Sequence, residues 1–132
     1  MKTKLIIASV VVLLFGLIVY FIMEDSNLKI KVIERGDGEV ASIGDTVSVH
    51  YSGYLEDGTK FDSSLDRGAP FSFKLGEGSV IKGWEEGVKG MRVGEKRELI
   101  ISPEMGYGDV AIGPIPANSV LIFQVELLNI LD

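Results

Sequence analysis

The stretch VSVHYSGYLEDGTKFDSS, residues 47–64, decides the fold. Val47, Val49 and Tyr51 alternate with Ser48 and His50, which puts apolar side chains on one face of an extended segment. Asp57-Gly58 then supplies turn chemistry, and Phe61 and Asp62 follow ahead of two serines. The same period of two recurs on either side. Leu28, Ile30 and Val32 alternate with Lys29 and Lys31, and Phe71, Phe73 and Leu75 with Ser72 and Lys74. Leu99 and Ile101 flank Ile100, and Leu121, Phe123, Val125 and Leu127 oppose Gln124 and Glu126. Five such runs, separated by Gly36-Asp37-Gly38, Asp57-Gly58, Gly76-Glu77-Gly78 and Gly113-Pro114, predict half-buried antiparallel strands with one covered face.

One stretch of this region reads as helix. Ile81, Trp84, Val88 and Met91 recur at steps of three and four, with Glu85 and Glu86 near the start and Lys89 near the end, as the helix dipole favours. Gly83, Gly87 and Gly90 make it a weak helix that needs packing to persist. The expected architecture is α+β: a twisted antiparallel β-sheet wrapped around one short α-helix.

The amino terminus is different in kind. Residues 5–23 are 19 residues without a charge, preceded by Lys2 and Lys4. At about 1.5 Å per residue they make a helix of roughly 28 Å, close to the roughly 30 Å of a hydrocarbon core. Tyr20, Phe21 and Met23 stand where a cleaved signal needs small residues, so the segment reads as an uncleaved signal-anchor, one hydrophobic transmembrane helix over 1–23. The two leading lysines favour export of the domain on the carboxyl-terminal side, although Lys29, Lys31 and Arg35 also count toward the positive side. The expectation is a single-pass protein of a bacterial inner membrane, with the domain over 24–132 facing the periplasm or cell exterior.

Those 109 residues hold 11 basic and 19 acidic side chains, a composition unsuited to the phosphate backbone of a nucleic acid. The absence of cysteine excludes disulfides, thiolate metal sites and cysteine catalysis. A single histidine argues against a multi-histidine metal site or a serine–histidine nucleophile. His50 lies on the polar face of its strand and reads as a surface histidine.

Residues 47–64 closely resemble the signature of the FKBP-type peptidyl-prolyl isomerases, the tacrolimus- and rapamycin-binding family. So do PFSFKLGEGSVIKGWEEGVKGM (70–91), GEKRELIISPEMGYG (94–108) and LIFQVELL (121–128), in the family's order and spacing. The resemblance implies a sheet of five or six strands around a short helix. It also implies a reaction, rotation about an Xaa-Pro amide, whose uncatalysed barrier is about 20 kcal/mol. No bond breaks, so no nucleophile, metal or cofactor is required.

By position, the resemblance assigns Tyr51, Phe61, Asp62, Tyr107 and Phe123 to catalysis, and Phe71, Val80, Ile81, Trp84 and Ile115 to binding the proline-containing chain. Periodicity alone leaves Tyr51, Phe71, Trp84 and Phe123 as ordinary core aromatics. On the family pattern Trp84 floors a proline pocket and Phe61, Phe71 and Phe123 wall it. The Ile81 N–H and the Tyr107 hydroxyl then donate to substrate carbonyls, and the Tyr51 hydroxyl holds Asp62 as an orienting group rather than a general base.

The departure lies between Tyr107 and Phe123, where the loop is slightly shorter than in the commonest single-domain members, lacks a histidine and carries Asp109. Only 15 residues separate Tyr107 from Phe123, too few for the inserted domain of chaperone-like relatives. The expected partners are proline-containing polypeptides and rapamycin- or tacrolimus-type macrolides, with a membrane engaged through 5–23 and the domain monomeric. The rival readings are a non-catalytic proline-motif binding module and a membrane-tethered folding chaperone.

Overall fold

The computed structural model describes residues 7–12, 19–25 and 27–131, with side chains from residue 27 onward. Its strands are β1 (Ile7–Val12), β2 (Val19–Asp25), β3 (Leu28–Glu34), β4 (Thr46–Leu55), β5 (Lys60–Ser63), β6 (Phe71–Lys74), β7 (Lys96–Ile101) and β8 (Leu121–Ile130). Two α-helices interrupt them, the single turn α1 (Ser64–Arg67) and the pocket helix α2 (Lys82–Val88), with a 3-10 turn at Pro103–Met105. The strands pair antiparallel in the order β1-β2-β3-β7-β8-β4-β5, and β6 also pairs with β4. This is the expected antiparallel sheet with a short helix against it.

Strand β4 organises the site. Along one edge it pairs with β8, setting Tyr51 opposite Val125 and Gly53 opposite Phe123. Its other edge is shared: β6 covers Thr46–Val49, and β5 covers Ser52–Tyr54. Between them, at His50 and Tyr51, neither strand reaches. There the Ser64 hydroxyl, at the start of α1, accepts from the Tyr51 N–H at 2.8 Å and donates to the Tyr51 carbonyl at 3.3 Å. A buried serine thus replaces a missing strand partner, and backbone groups that burial would leave unpaired are satisfied.

The core lies between α2 and the covered face of the sheet. Val47, Val49, Leu99, Ile101, Leu121, Val125 and Leu127 are fully buried, as the alternation predicts. Ser48 is buried as well, because the register against β8 shifts between Ser48 and Val49. Two helix glycines are contact surface. A methyl group at Gly83 would lie 2.5 Å from the Ile101 side chain, and one at Gly87 2.6 Å from that of Leu99, so α2 packs backbone-close on β7. The helix is shorter than its apolar periodicity suggests. It ends at Val88, and Met91 is buried because the chain turns back at Gly90, not because it belongs to the helical face.

The transmembrane helix expected at the amino terminus is not seen among the described residues. Within the segment read as a transmembrane helix, the described residues form strands: β1 pairs with β2, and β2 pairs with β3, setting Met23 opposite Ile30 and Asp25 opposite Leu28. No helix among the described residues is long and apolar enough to cross a membrane. The physical reason is twofold. Val, Ile, Tyr and Phe are strand formers, and the outer edge of β3 offers them unpaired backbone groups. Residues 1–6 and 13–18 of that expectation lie outside the described residues.

Candidate functional site

Four elements meet over the open end of the sheet. β4 and β8 bring Tyr51 and Phe123 inward, β5 brings Phe61 and Asp62, and the segment entering α2 brings Val80, Ile81 and Trp84. Together with Phe71, Tyr107 and Ile115 they line one cavity of about 310 Å³, so all ten residues assigned from the sequence sit around a single space. That volume lies at the small end of the range for ligand sites. Ser79, Ile112, Gly113 and Pro114 also line it.

Trp84 is nearly fully buried and forms the floor. The rings of Tyr51, Phe71 and Phe123 stand edge-on to it, with centroids 4.9, 6.0 and 5.3 Å away. Phe61 meets Phe123 at 5.4 Å and a right angle. Such edge-to-face contacts set positive ring edges against negative faces and fix the walls without polar groups. The fit depends on a position that the apolar pattern does not mark. Gly53 has no side chain, and a Cβ there would sit 2.6 Å from Phe61 and 2.8 Å from Phe123.

The polar side of the cavity is a three-residue network. The Tyr51 hydroxyl donates to Asp62 Oδ2 at 2.5 Å. Arg67, at the end of α1, donates from Nη1 to Asp62 Oδ1 and from Nη2 to the Tyr51 oxygen at 2.9 Å. Its guanidinium carbon lies 5.6 Å from the Tyr51 ring centroid. Partial burial pushes the Asp62 carboxyl up, but the hydrogen bonds from Tyr51 and Arg67 outweigh it and hold the group below its ordinary value. Tyr51 is shifted the other way, by burial first and then by the adjacent carboxylate. Asp62 is therefore an ionised group with both oxygens engaged, suited to orienting neighbours and unsuited to taking a proton.

Two donors remain unspent. Neither the Ile81 N–H nor the Tyr107 hydroxyl has a hydrogen-bond partner among the described residues, and both residues line the cavity. The Trp84 indole N–H is buried without a partner, boxed in by rings. The lip opposite is a two-residue hairpin in which Ile112 and Ile115 exchange N–H···O bonds of 3.0 and 2.8 Å around Gly113-Pro114. His50, read as a surface histidine, is half-buried with Nδ1 2.9 Å from the Ser64 hydroxyl, the same hydroxyl that holds Tyr51. Sequence reasoning does not single out Arg67. It falls in a turn with no periodicity, and its only cue is a position just past the Asp62-Ser63-Ser64 run.

A sheet curled over a short helix, with an aromatic cavity at its open end, defines a small-ligand or peptide-binding domain. Comparison with known proteins makes this specific. Residues 38–128 match the model of the FKBP-type peptidyl-prolyl cis-trans isomerases, and the chain belongs to that family. It is 66% identical over 88 residues to FK506-binding protein 2 of Emericella nidulans, covering 66% of this chain and 65% of that protein, just under two thirds of its length. It is 53% identical over 106 residues to FK506-binding protein 1A of Neurospora crassa, covering 79% of this chain and 88% of that one. A FK506-binding protein of Neisseria meningitidis serogroup B is 53% identical over 107 residues, 80% of this chain and 98% of its own. Among solved structures, AtFKBP13 superposes with a TM-score of 0.74 at 40% identity, covering 78% of this chain and 92% of its own. FkpA from Escherichia coli gives 0.72 at 48% identity, covering 78% and 47%.

Proposed function

We propose that this chain accelerates rotation about Xaa-Pro bonds of polypeptides held with the proline ring in the aromatic cavity, and that it works at a membrane surface. The observation that supports the first part is the composition of the cavity: six aromatic side chains, one carboxylate already engaged by Tyr51 and Arg67, and two unspent donors. A planar amide separates charge between oxygen and nitrogen, and water stabilises that separation. The twisted transition state has lost the resonance and much of the dipole. A dry ring of aromatic side chains therefore penalises the ground state more than the transition state. The Ile81 N–H and Tyr107 hydroxyl would anchor carbonyls of the bound chain while the bond turns. Asp62 would keep Tyr51 and the rim in place.

The membrane part rests on the sequence. Residues 5–23 are long and apolar enough to span, behind Lys2 and Lys4. In a bilayer the backbone must satisfy itself, and a helix does so where no sheet edge is available. Tethering would raise the effective concentration of the domain near chains emerging at that surface, on the exported side of a bacterial inner membrane. Because the cavity is built from one chain, a monomer suffices, and its size and apolar walls suit rapamycin- or tacrolimus-type macrolides as competitors.

Exchange NMR on a short Xaa-Pro peptide with the full-length chain, with and without rapamycin, tests the chemistry. Acceleration abolished by rapamycin is the expected result. Peptide binding without acceleration would favour a binding module, and suppressed aggregation without acceleration a chaperone. Alkaline carbonate extraction and protease access in intact cells test the tether: the protein should stay with the membrane and be cleavable from outside the inner membrane.

A further inference from the structure

The segment that delivers Val80 and Ile81 to the cavity is held from below by a single carboxylate. The Gly76 N–H donates to Glu85 Oε2 at 2.6 Å, and the Gly78 N–H donates to Oε1 at 3.1 Å. Both ends of the segment are pinned independently. Leu75 is buried, its N–H donates to the Asp45 carbonyl at 2.9 Å, and its carbonyl accepts from the Gly44 N–H at 2.9 Å. At the other end the Ile81 carbonyl accepts from the N–H groups of Trp84 and Glu85 at 2.9 and 3.1 Å. Across residues 76–80 the two bonds to Glu85 are what ties the backbone down.

The sequence explains Glu85 as a charge placed to suit the first turn of a helix, and at seven residues α2 gains little from that. The geometry assigns it a second task. We propose that Glu85 is a positioning residue that clasps residues 76–80 so that the Val80 wall and the Ile81 N–H stand ready before a chain binds. The proposal rests on the peptide-binding reading of the cavity and deepens it. Charge-assisted bonds from one carboxylate to two backbone donors are stronger than neutral ones, and they remove from the binding step the ordering of the segment. Glu77 on the segment and Lys74 at the end of β6 pair with each other at 3.8 Å in solvent, which leaves Glu85 to the backbone.

Glu85→Ala and Glu85→Gln in the full-length chain, compared with the unaltered protein, provide the test. Two readouts are needed: KM and kcat for an Xaa-Pro peptide, and hydrogen exchange at the Gly76 and Gly78 amides. Glu85→Ala is expected to raise KM about tenfold with kcat within about twofold, because the clasp acts on binding order and not on the turning bond. Glu85→Gln keeps a carbonyl acceptor and should recover part of that loss. Gly76 and Gly78 should lose exchange protection in Glu85→Ala while β8 keeps its own. An unchanged KM in Glu85→Ala, or a loss confined to kcat, overturns the proposal, as does unchanged protection. If Glu85→Ala fails to fold, the isosteric Glu85→Gln carries the same comparison. An inactive parent would overturn the isomerase reading instead, and the amide exchange would still decide whether the clasp exists.

Discussion

At the scale of single residues, the fold keeps Asp62 charged. Its carboxyl titrates below the ordinary 3.8 because Tyr51 and Arg67 donate to it. A depressed carboxylate contributes stability above its unfolded pKa and loses that contribution as pH falls through the folded one. Activity should therefore be flat across neutral pH and fall only in acid, with no limb near neutrality. Removing Arg67 (Arg67→Ala) leaves burial to act with less opposition, so the acid limb should move to higher pH. A pH–rate profile of both proteins checks this, and an unmoved limb would separate Asp62 from the activity. Truncating Phe123 to Ala should cut kcat/KM by about tenfold or more, from a lost wall worth roughly 3–5 kcal/mol of packing, while unfolding stays cooperative. Tyr51, Asp62 and the aromatic set can be picked out because they lie in stretches that resemble the family's motifs; periodicity alone leaves the rings as core aromatics. Arg67, Gly53 and Ser64 cannot be given roles from spacing, since what each does depends on a partner brought close by the fold: Asp62, two phenyl rings and an uncovered stretch of β4.

At the scale of elements, alternation locates the longer strands well, and it fails where pairing or termination is set by something other than side-chain period. β5 is four residues long and enters β4 through a register shift, so no alternation announces it. The amino-terminal run shows the converse: an uninterrupted apolar stretch fits a helix or a strand equally, and its described residues pair along the outer edge of β3. The glycines of α2 offer a sharper test. Alanine at an interior helix position gains up to about 1 kcal/mol over glycine. At Gly83 or Gly87 it also forces a methyl group into Ile101 or Leu99, and overpacking costs about 1–3 kcal/mol. The steric cost should win. Urea unfolding of Gly83→Ala is expected to show a lower midpoint, and a more stable variant would mean that the helix can lift off β7 freely.

At the scale of the whole molecule, a largely buried ion pair ties β7 to the carboxyl-terminal end of the pocket helix. Glu95 is buried, accepts from the Arg92 N–H at 3.0 Å and pairs with Arg97. Arg97 then donates to the carbonyls of Gly87, Lys89 and Gly90 at 3.1–3.3 Å, closing the carboxyl-terminal end of α2. Removing Glu95 (Glu95→Ala) leaves the arginine without its counter-charge and should cost on the order of 3 kcal/mol, read as a lower Tm. A fragment of residues 24–132 should remain folded, monomeric and active by sedimentation and peptide exchange, since the described core and cavity residues lie between Leu28 and Ile130.

The floor of the cavity has an optical consequence. The chain contains one tryptophan, and that residue is Trp84. All indole emission from this protein therefore originates at the bottom of the cavity, ringed by phenyl edges and shielded from solvent. A peptide or macrolide that settles over it changes the surroundings of the only chromophore that can be excited at the red edge of protein absorption, so occupancy can be titrated by intensity and wavelength without a label.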